Sequence, residues 1–149
     1  YEAVLTWTLA ALAPRVRSAV EAARTPEAAL AAYAETFEKA AEEFPHLPRI
    51  MLRELATGGQ HLTPAVLKAF LEVLSLLQGA LKEGERIGRL RSADPLTVHL
   101  LLVGGMMLLR ATRPLRERAV FKTLLPAQQP FATLTADLLL QGLRLPKKR

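Results

Sequence analysis

The sequence has no cysteine, no asparagine and few aromatic residues, and these absences exclude several classes of protein. Without cysteine there is no disulfide framework, no thiol nucleophile and no thiolate metal site. Aromatic residues make up 5% of the chain and isoleucine occurs twice, so residues that favour strands are scarce. Leucine occurs 30 times and alanine 24 times in 149 residues. Because both favour helix, we expect an all-α fold.

A secretory leader and a membrane span are also missing from the sequence pattern. No charged, apolar and small-residue succession of the signal-peptide type opens the chain. The longest mostly apolar stretch, residues 96–109, contains His99 and two glycines and is too short to cross a bilayer. We therefore expect a cytoplasmic protein without a membrane partner. Because the first residue is Tyr1 rather than methionine, we also expect the sequence to begin inside a longer protein.

Positive charge is in excess but is not gathered into a nucleic-acid-binding pattern. The formal net charge is +6, from 20 basic and 14 acidic residues. The dense basic runs are residues 110–118 and 147–149, and neither is interleaved with aromatic side chains. This segment is therefore expected not to bind DNA or RNA directly.

Catalytic and metal-binding motifs are absent as well. The chain has no glycine-rich phosphate loop and no serine in a nucleophile elbow, and of its two aspartates Asp94 has the position of a helix cap. The three histidines, His46, His61 and His99, do not form a His-x3-His pair. We expect a protein that is not an enzyme and holds neither a cofactor nor a metal.

Proline preceded by a capping residue occurs three times, at Thr25–Pro26, Thr63–Pro64 and Asp94–Pro95. Each pair predicts the start of a helix, because the cap accepts a backbone N–H and proline suits the first turn. The predicted helices span residues 2–24 with a kink or break at Pro14, 26–44, 49–57, 65–90, 95–111, 115–125 and 131–143. Residues 1–149 then form one domain, a bundle of six or seven helices. In the longest helix the inward positions are predicted to be Leu67, Phe70, Leu71, Leu74, Leu77 and Leu81.

The helix that starts at Pro95 is apolar on two sides. His99, Val103, Met106 and Arg110 share one side, and the opposite side carries Thr97, Leu101, Gly104, Leu108 and Ala111. Such a helix must be covered twice, either in the centre of a monomeric core or by a second copy of the chain. The last helix has a similar excess of leucine, including Leu134 and Leu138. We expect a homodimer in which two helices from each subunit form a four-helix interface.

A small-molecule pocket is the second candidate site. Apolar and aromatic residues from several predicted helices, with two polar ones, form the proposed lining: Trp7, Phe37, Met51, Phe70, Leu74, Gln78, His99, Val103 and Met106. Gln78 interrupts an inner stripe and His99 lies among leucines, and buried polar groups need a partner. That partner is either a ligand or another side chain, because an ordinary helical core has the same composition.

Four segments resemble the C-terminal regulatory domains of TetR-type transcriptional regulators. Residues 1–5 (YEAVL) are similar to the start of the family's linking helix, and residues 46–55 (HLPRIMLREL) to its short helix after the second long one. Residues 82–95 (KEGERIGRLRSADP) resemble the turn before the first dimerisation helix. Residues 137–143 (DLLLQGL) resemble the usual end of such chains.

The resemblance implies a helical domain that dimerises through its last two major helices and binds an inducer among the others. It also implies an amino-terminal helix-turn-helix domain that binds operator DNA, and no such motif can be placed on residues 1–149. The expected function is therefore effector binding and dimerisation in a transcriptional repressor, with a small hydrophobic ligand altering DNA binding by the preceding domain. A helical protein-interaction adaptor without a ligand is the alternative.

Overall fold

The fold is all-α, as the composition predicts. The computed structural model describes the backbone of residues 2–122 and 130–146, and the side chains of residue 8 and of residues 10–120 and 130–146. Within these ranges the secondary structure is helical and contains no strand. Three predictions lie outside the described residues: the side chain of Trp7, the end of the helix predicted at 115–125, and the basic tail 147–149.

The helices follow the predicted order closely. In chain order they are α1 (Glu2–Ala22), α2 (Pro26–Glu43), α3 (Leu47–Ala56), α4 (Pro64–Arg86), α5 (Pro95–Ala111), α6 (Arg113–Arg116), α7 (Ala119–Lys122) and α8 (Phe131–Leu143). α1 continues through Pro14 without a break. α5 contains a π-helical segment, Leu100–Gly104, which the sequence pattern did not predict.

The three predicted helix caps are confirmed. Their side-chain oxygens accept a backbone N–H three residues later: Thr25 from Ala28 at 3.1 Å, Thr63 from Val66 at 3.3 Å and Asp94 from Thr97 at 2.7 Å. The proline after each cap is the first residue of the helix. Cap and proline together fix where α2, α4 and α5 begin.

α2 lies at the centre of the bundle. It packs against α1, α4 and α8, and against the middle and end of α5. The core contains side chains from all of these helices, among them Leu12, Val16, Leu30, Tyr33, Phe37, Val73, Leu77, Leu102, Met106 and Leu140. The buried side of α5 faces α2, and α5 also packs against α4 at its start, against α8 in its middle and against α3 at its end.

The predicted inner face of α4 is partly wrong. Leu77 and Leu81 are buried as predicted, but Leu71 is 62% exposed and Leu67 45% exposed. Val73 takes an interior position instead. α4 carries apolar residues around much of its circumference, so the spacing of leucines does not specify one face, and packing against α1 and α2 selects it.

A close turn connects α4 to α5. α4 ends at Arg86 rather than at Leu90 because Gly88 adopts a φ of 71°, which ends the helix. The backbone N–H groups of Arg89 and Leu90 both donate to the carbonyl of Gly84, and the Leu90 side chain is fully buried. Leu90 also pairs with Arg144 in an antiparallel bridge, so the chain after α8 is held against this turn.

Candidate ligand site and dimer face

His99 lies near the start of α5, on the side of the helix that faces α2. The Asp94 cap and Pro95 set the beginning of the helix and therefore the direction of every later side chain. Val103 and Met106 follow on the same side, and all three residues are buried. The predicted grouping of these three residues on one side of the helix is confirmed, and the structure shows that this side is buried.

Three aromatic rings surround His99. Its ring centroid lies 5.9 Å from Tyr33, 5.5 Å from Phe37 and 5.1 Å from Phe70, with interplanar angles of 76–79°. Edge-on contacts of this kind are favourable for aromatic pairs. Tyr33, Phe37, Phe70 and His99 are called the aromatic cluster below. It is the point at which α2, α4 and α5 meet.

The imidazole of His99 is hydrogen-bonded on one side. Its Nδ1 lies 2.7 Å from the hydroxyl oxygen of Tyr33. Burial raises the pKa of Tyr33 and lowers the pKa of His99 to about 4, so both groups are uncharged at neutral pH. The other ring nitrogen, Nε2, forms no hydrogen bond with the described residues. The cluster is therefore uncharged and mostly apolar, and Nε2 of His99 is its one polar atom without a hydrogen-bond partner among the described residues.

The π-helical segment begins directly after His99. π-helical turns are rare and are often found at functional sites. Here the wider turn places Leu102 and Val103 in the core, while their neighbours Leu100 and Leu101 are both about half exposed. The segment thus joins the aromatic cluster on one side of α5 to exposed leucines on the other.

The structure brings together part of the predicted ligand-binding set. Phe37, Phe70 and His99 are in contact, and Val103 and Met106 belong to the same buried side of α5. Met51 and Leu74 are half-buried and pack against the core. Gln78 is exposed, so its predicted place in an inner stripe is wrong. It lies one residue beyond Leu77, and a step of one residue turns the side chain away from the core.

Sequence reasoning left Tyr33 out of the ligand-binding set. Tyr33 is nevertheless the direct hydrogen-bond partner of His99. A pairing across 66 residues has no local signal in the sequence. The indication that was present is the spacing of Tyr33 and Phe37, which puts two aromatic residues on one helix face.

The second candidate site is a row of exposed leucines on α5 and α8. The leucine face, as we name it, consists of Leu100, Leu101 and Leu108 on α5 and Leu134 and Leu138 on α8, with exposed fractions from 43% to 60%. Seven residues were predicted to form the dimer interface. Four of them are exposed leucines of this face, namely Leu101, Leu108, Leu134 and Leu138. Thr97 is also exposed, and Gly104 and Ala111 are half-buried. The prediction of a helix that is apolar on both sides is confirmed.

Two adjacent glycines separate the inner and outer sides of α5. A Cβ atom at Gly105 would lie 3.1 Å from the ring of Phe131, so the glycine allows α5 and α8 to approach closely. A Cβ atom at Gly104 would meet only Leu100, at 3.9 Å. Within the part of the chain that the structure describes, Gly104 therefore has open space around it, next to the leucine face.

Glu38 connects three helices beneath the leucine face. Its carboxylate accepts the backbone N–H of Ala132 at 3.2 Å, in the first turn of α8, and lies 3.6 Å from the guanidinium of Arg110 on α5. Arg110 also pairs with Glu42 at 2.9 Å. Arg110 is partly exposed and is held at the edge of the core by these two carboxylates.

Glu54 is a buried carboxylate outside both candidate sites. It accepts the backbone N–H of His61 at 2.6 Å, and its other oxygen lies 3.1 Å from Nδ1 of the same residue. These contacts hold the loop between α3 and α4 against α3. In the part of the chain that the structure describes, no three histidine, aspartate or glutamate side chains are grouped so that they would hold a metal ion.

One helix of the described ranges, α4, is long and apolar enough to cross a membrane by length and composition alone. Helices in the core of soluble proteins meet the same criterion. α4 packs against α1 and α2, and its exposed side carries the charged residues Lys68 and Glu72. Its composition therefore carries no functional argument.

Comparison with known proteins identifies no relative of this chain. No protein-family model matches the chain, and no curated protein or solved structure is significantly similar to it. The assignment to TetR-type regulators stays a prediction, based on the four segments described above.

Proposed function

We propose that this chain is the effector-binding and dimerisation domain of a TetR-like transcriptional repressor. Two copies associate through α5 and α8, and a small hydrophobic ligand binds at the aromatic cluster. Binding of this ligand alters the spacing of helix-turn-helix domains that precede residue 1, and so alters their affinity for operator DNA.

The leucine face is the observation that carries the dimer. Leu101, Leu108 and Leu138 are each more than half exposed, and they lie on two helices that are in contact with each other. Exposed apolar patches of this kind mark interaction surfaces in soluble proteins. Most homo-oligomers are twofold-symmetric dimers in which the same patch meets its copy. A second copy of the chain would complete a four-helix arrangement of α5 and α8 with their mates.

The aromatic cluster supports the ligand site. It lies on the opposite side of the same helix, with His99 facing the core and Leu101 facing outward. A ligand that moves α5 relative to α2 would therefore move the dimer interface directly. The π-helical segment begins directly after His99 and includes Leu101, and we expect its geometry to change, because π-helical turns inside α-helices are often found at functional sites.

A protein-interaction adaptor is the second candidate. It is favoured by Leu67 and Leu71, which are exposed on α4, away from the leucine face. In this alternative the apolar surfaces bind a different protein and the aromatic cluster is an ordinary core. The single chain would then be a monomer in solution.

Light scattering coupled to size-exclusion chromatography, with native mass spectrometry, tests the proposal. We expect the wild-type protein to have twice the mass of the chain. Leu101→Glu should give a monomer, because two carboxylates would be buried at the twofold interface without partners. Leu71→Glu is the matched control, since it introduces the same charge at an equally exposed leucine of α4. It should leave the dimer intact.

Two results would contradict the proposal. A monomeric wild-type protein would favour the adaptor. A Leu101→Glu variant that stays dimeric would place the interface elsewhere, and the equivalent substitution Leu138→Glu on α8 checks the second half of the face.

A further inference from the structure

The buried residues of α5 occur in pairs that repeat at every fourth position. The three pairs are Val98 with His99, Leu102 with Val103, and Met106 with Met107. Leu100 and Leu101 form an exposed pair between the first two buried pairs, and Leu96 and Leu108 are exposed at either end. The repeat gives α5 a straight inner side and a straight outer side over most of its length.

An uninterrupted α-helix does not keep a repeat of this kind straight. With about 3.6 residues per turn, four residues advance by about 400°, so each pair would lie about 40° further round the helix than the pair before it. Between Val98 and Met106 the deviation would reach about 80°. The inner side would then turn away from the helices against which α5 packs.

The π-helical segment Leu100–Gly104 removes this deviation. Its hydrogen bonds join residues five apart instead of four apart, so the turn takes in one residue more than an α-helical turn. With that residue absorbed, Val98 and Met106 are separated by the equivalent of about seven α-helical steps. These steps amount to about 700°, which is within about 20° of two full turns. The two residues therefore lie on the same side of α5.

The core does not require the extra residue. An α5 that was one residue shorter, and α-helical throughout, would have the spacing of a regular heptad from Val98 to Met106 and would bury the same inner side. The shorter helix would carry one leucine between the first two buried pairs, whereas α5 carries two, each 52% exposed. π-helical turns are rare, so a π turn that the core does not need indicates a requirement on the outer side.

We propose that the π turn of α5 is a dimerisation element, which adds a leucine to the middle of the leucine face and places it against the second copy of the chain. This inference rests on the proposed function and assigns the central contact of its interface. A second copy is the partner that the geometry favours, because a straight apolar side of α5 meets an identical straight side across a twofold axis. The face also continues onto α8 with the exposed Leu134 and Leu138.

Deletion of one leucine from the run Leu100–Leu102 tests the proposal. The three residues are identical and consecutive, so removal of any one gives the same chain, in which α5 can be α-helical with both flanks in their present register. We expect this variant to keep its helical circular dichroism and a cooperative urea transition. Its dimer dissociation constant should rise about ten- to a hundredfold, because a half-exposed leucine is lost from each subunit's side of the interface. Analytical ultracentrifugation over a dilution series measures the constant.

The matched control is deletion of one leucine from the pair Leu76–Leu77 in α4, which is α-helical throughout. There the deletion turns the two parts of the helix by about 100° relative to each other, so the cooperative transition should be lost. Leu101→Ala is the second variant, which keeps the length of the chain. It should also weaken the dimer, because it removes most of the same side chain.

Three results would overturn the inference. A dimer of the α5 deletion, or of Leu101→Ala, that is as tight as the wild-type dimer would place the added leucine outside the interface and leave the proposed function standing. An α5 deletion that unfolds as the α4 deletion does would show that the core itself requires the extra residue. A monomeric wild-type protein is a distinct result, which contradicts the proposed function and this inference with it.

Discussion

Gly84 is close to the side chain of Leu90, a residue outside its helix, and this contact leaves no room for a larger residue. A Cβ atom added there would lie 2.6 Å from Cγ of Leu90, which is fully buried in the turn after α4. Gly79, five residues earlier in α4, has nothing within 4 Å of such an atom. The two glycines therefore have the same backbone conformation and opposite surroundings.

We expect Gly84→Ala and Gly79→Ala to change stability in opposite directions. Alanine is preferred to glycine inside a helix by about 0.5–1 kcal/mol, so Gly79→Ala should raise the free energy of unfolding by that amount. Gly84→Ala should lower it by about 1–3 kcal/mol, because Leu90 must shift within a packed core. Urea-induced unfolding of both variants measures the two effects. If Gly84→Ala raised the free energy of unfolding, Leu90 would be able to shift without loss of packing, and this prediction would be contradicted.

His99 predicts a dependence of stability on pH. Burial lowers its pKa from 6.5 to about 4 in the folded protein, while the unfolded chain keeps the ordinary value. Between these two values the unfolded chain binds a proton that the folded protein does not bind, so stability falls as pH falls. The contribution is present in full above about pH 7 and amounts to about 3 kcal/mol lost by pH 4.

This dependence is measured as the free energy of unfolding at pH 7, 5.5 and 4.5. His99→Leu should flatten the profile over this range, and His46→Gln, at an exposed histidine, should not change it. Among the described residues, Tyr33 is the titratable group in ring contact with His99, and it stays neutral throughout. A wild-type profile as flat as that of His99→Leu would contradict the buried neutral histidine.

At the scale of elements, α8 depends on a carboxylate from α2. Glu38 accepts the N–H of Ala132 and lies beside Arg110, while the residue before α8, Pro130, offers no side-chain cap. Acidic groups at a helix N-terminus are stabilising through hydrogen bonding and the helix dipole. Glu38 therefore both starts α8 and holds it against the rest of the bundle.

We expect Glu38→Ala to destabilise the fold by about 1–2 kcal/mol, the usual effect of losing a helix cap. The loss should be concentrated in α8, where amide hydrogen exchange should become faster. Glu35→Ala is the matched control, because Glu35 lies one turn earlier on the exposed side of α2. Unchanged exchange in α8 would show that its docking relies on apolar packing alone.

The same scale separates what the sequence predicts from what it does not. Helix starts were predictable because Thr25, Thr63 and Asp94 act on residues only three positions away. The buried face of α4 was not predictable, because leucines lie all around the helix. Which of them are buried depends on packing against helices that are distant in the sequence. The Tyr33–His99 pair was missed for the same reason, since its partners lie on different helices and neither residue indicates the other.

At the scale of the whole molecule, the proposed dimer predicts that thermal stability depends on protein concentration. A folded dimer in equilibrium with unfolded single chains is stabilised by mass action, so its melting temperature rises with protein concentration. A monomer has no such dependence. The leucine face is the surface whose burial would produce it, and Gly104 is the position at which this face can be blocked with the least change to the single chain.

Gly104→Leu should remove the concentration dependence without weakening the single chain. Among the described residues, a Cβ atom at this position would meet Leu100 alone, at an ordinary 3.9 Å, and leucine is the better helix former by about 0.8 kcal/mol. The added side chain would occupy the space that a second copy must enter for close helix contact. Gly79→Leu is the control, because it adds the same side chain to an open position of α4. Melting curves at low and high protein concentration should therefore differ for the wild type and Gly79→Leu and coincide for Gly104→Leu. If Gly104→Leu kept the wild-type dependence, the two copies would have to meet away from the middle of α5.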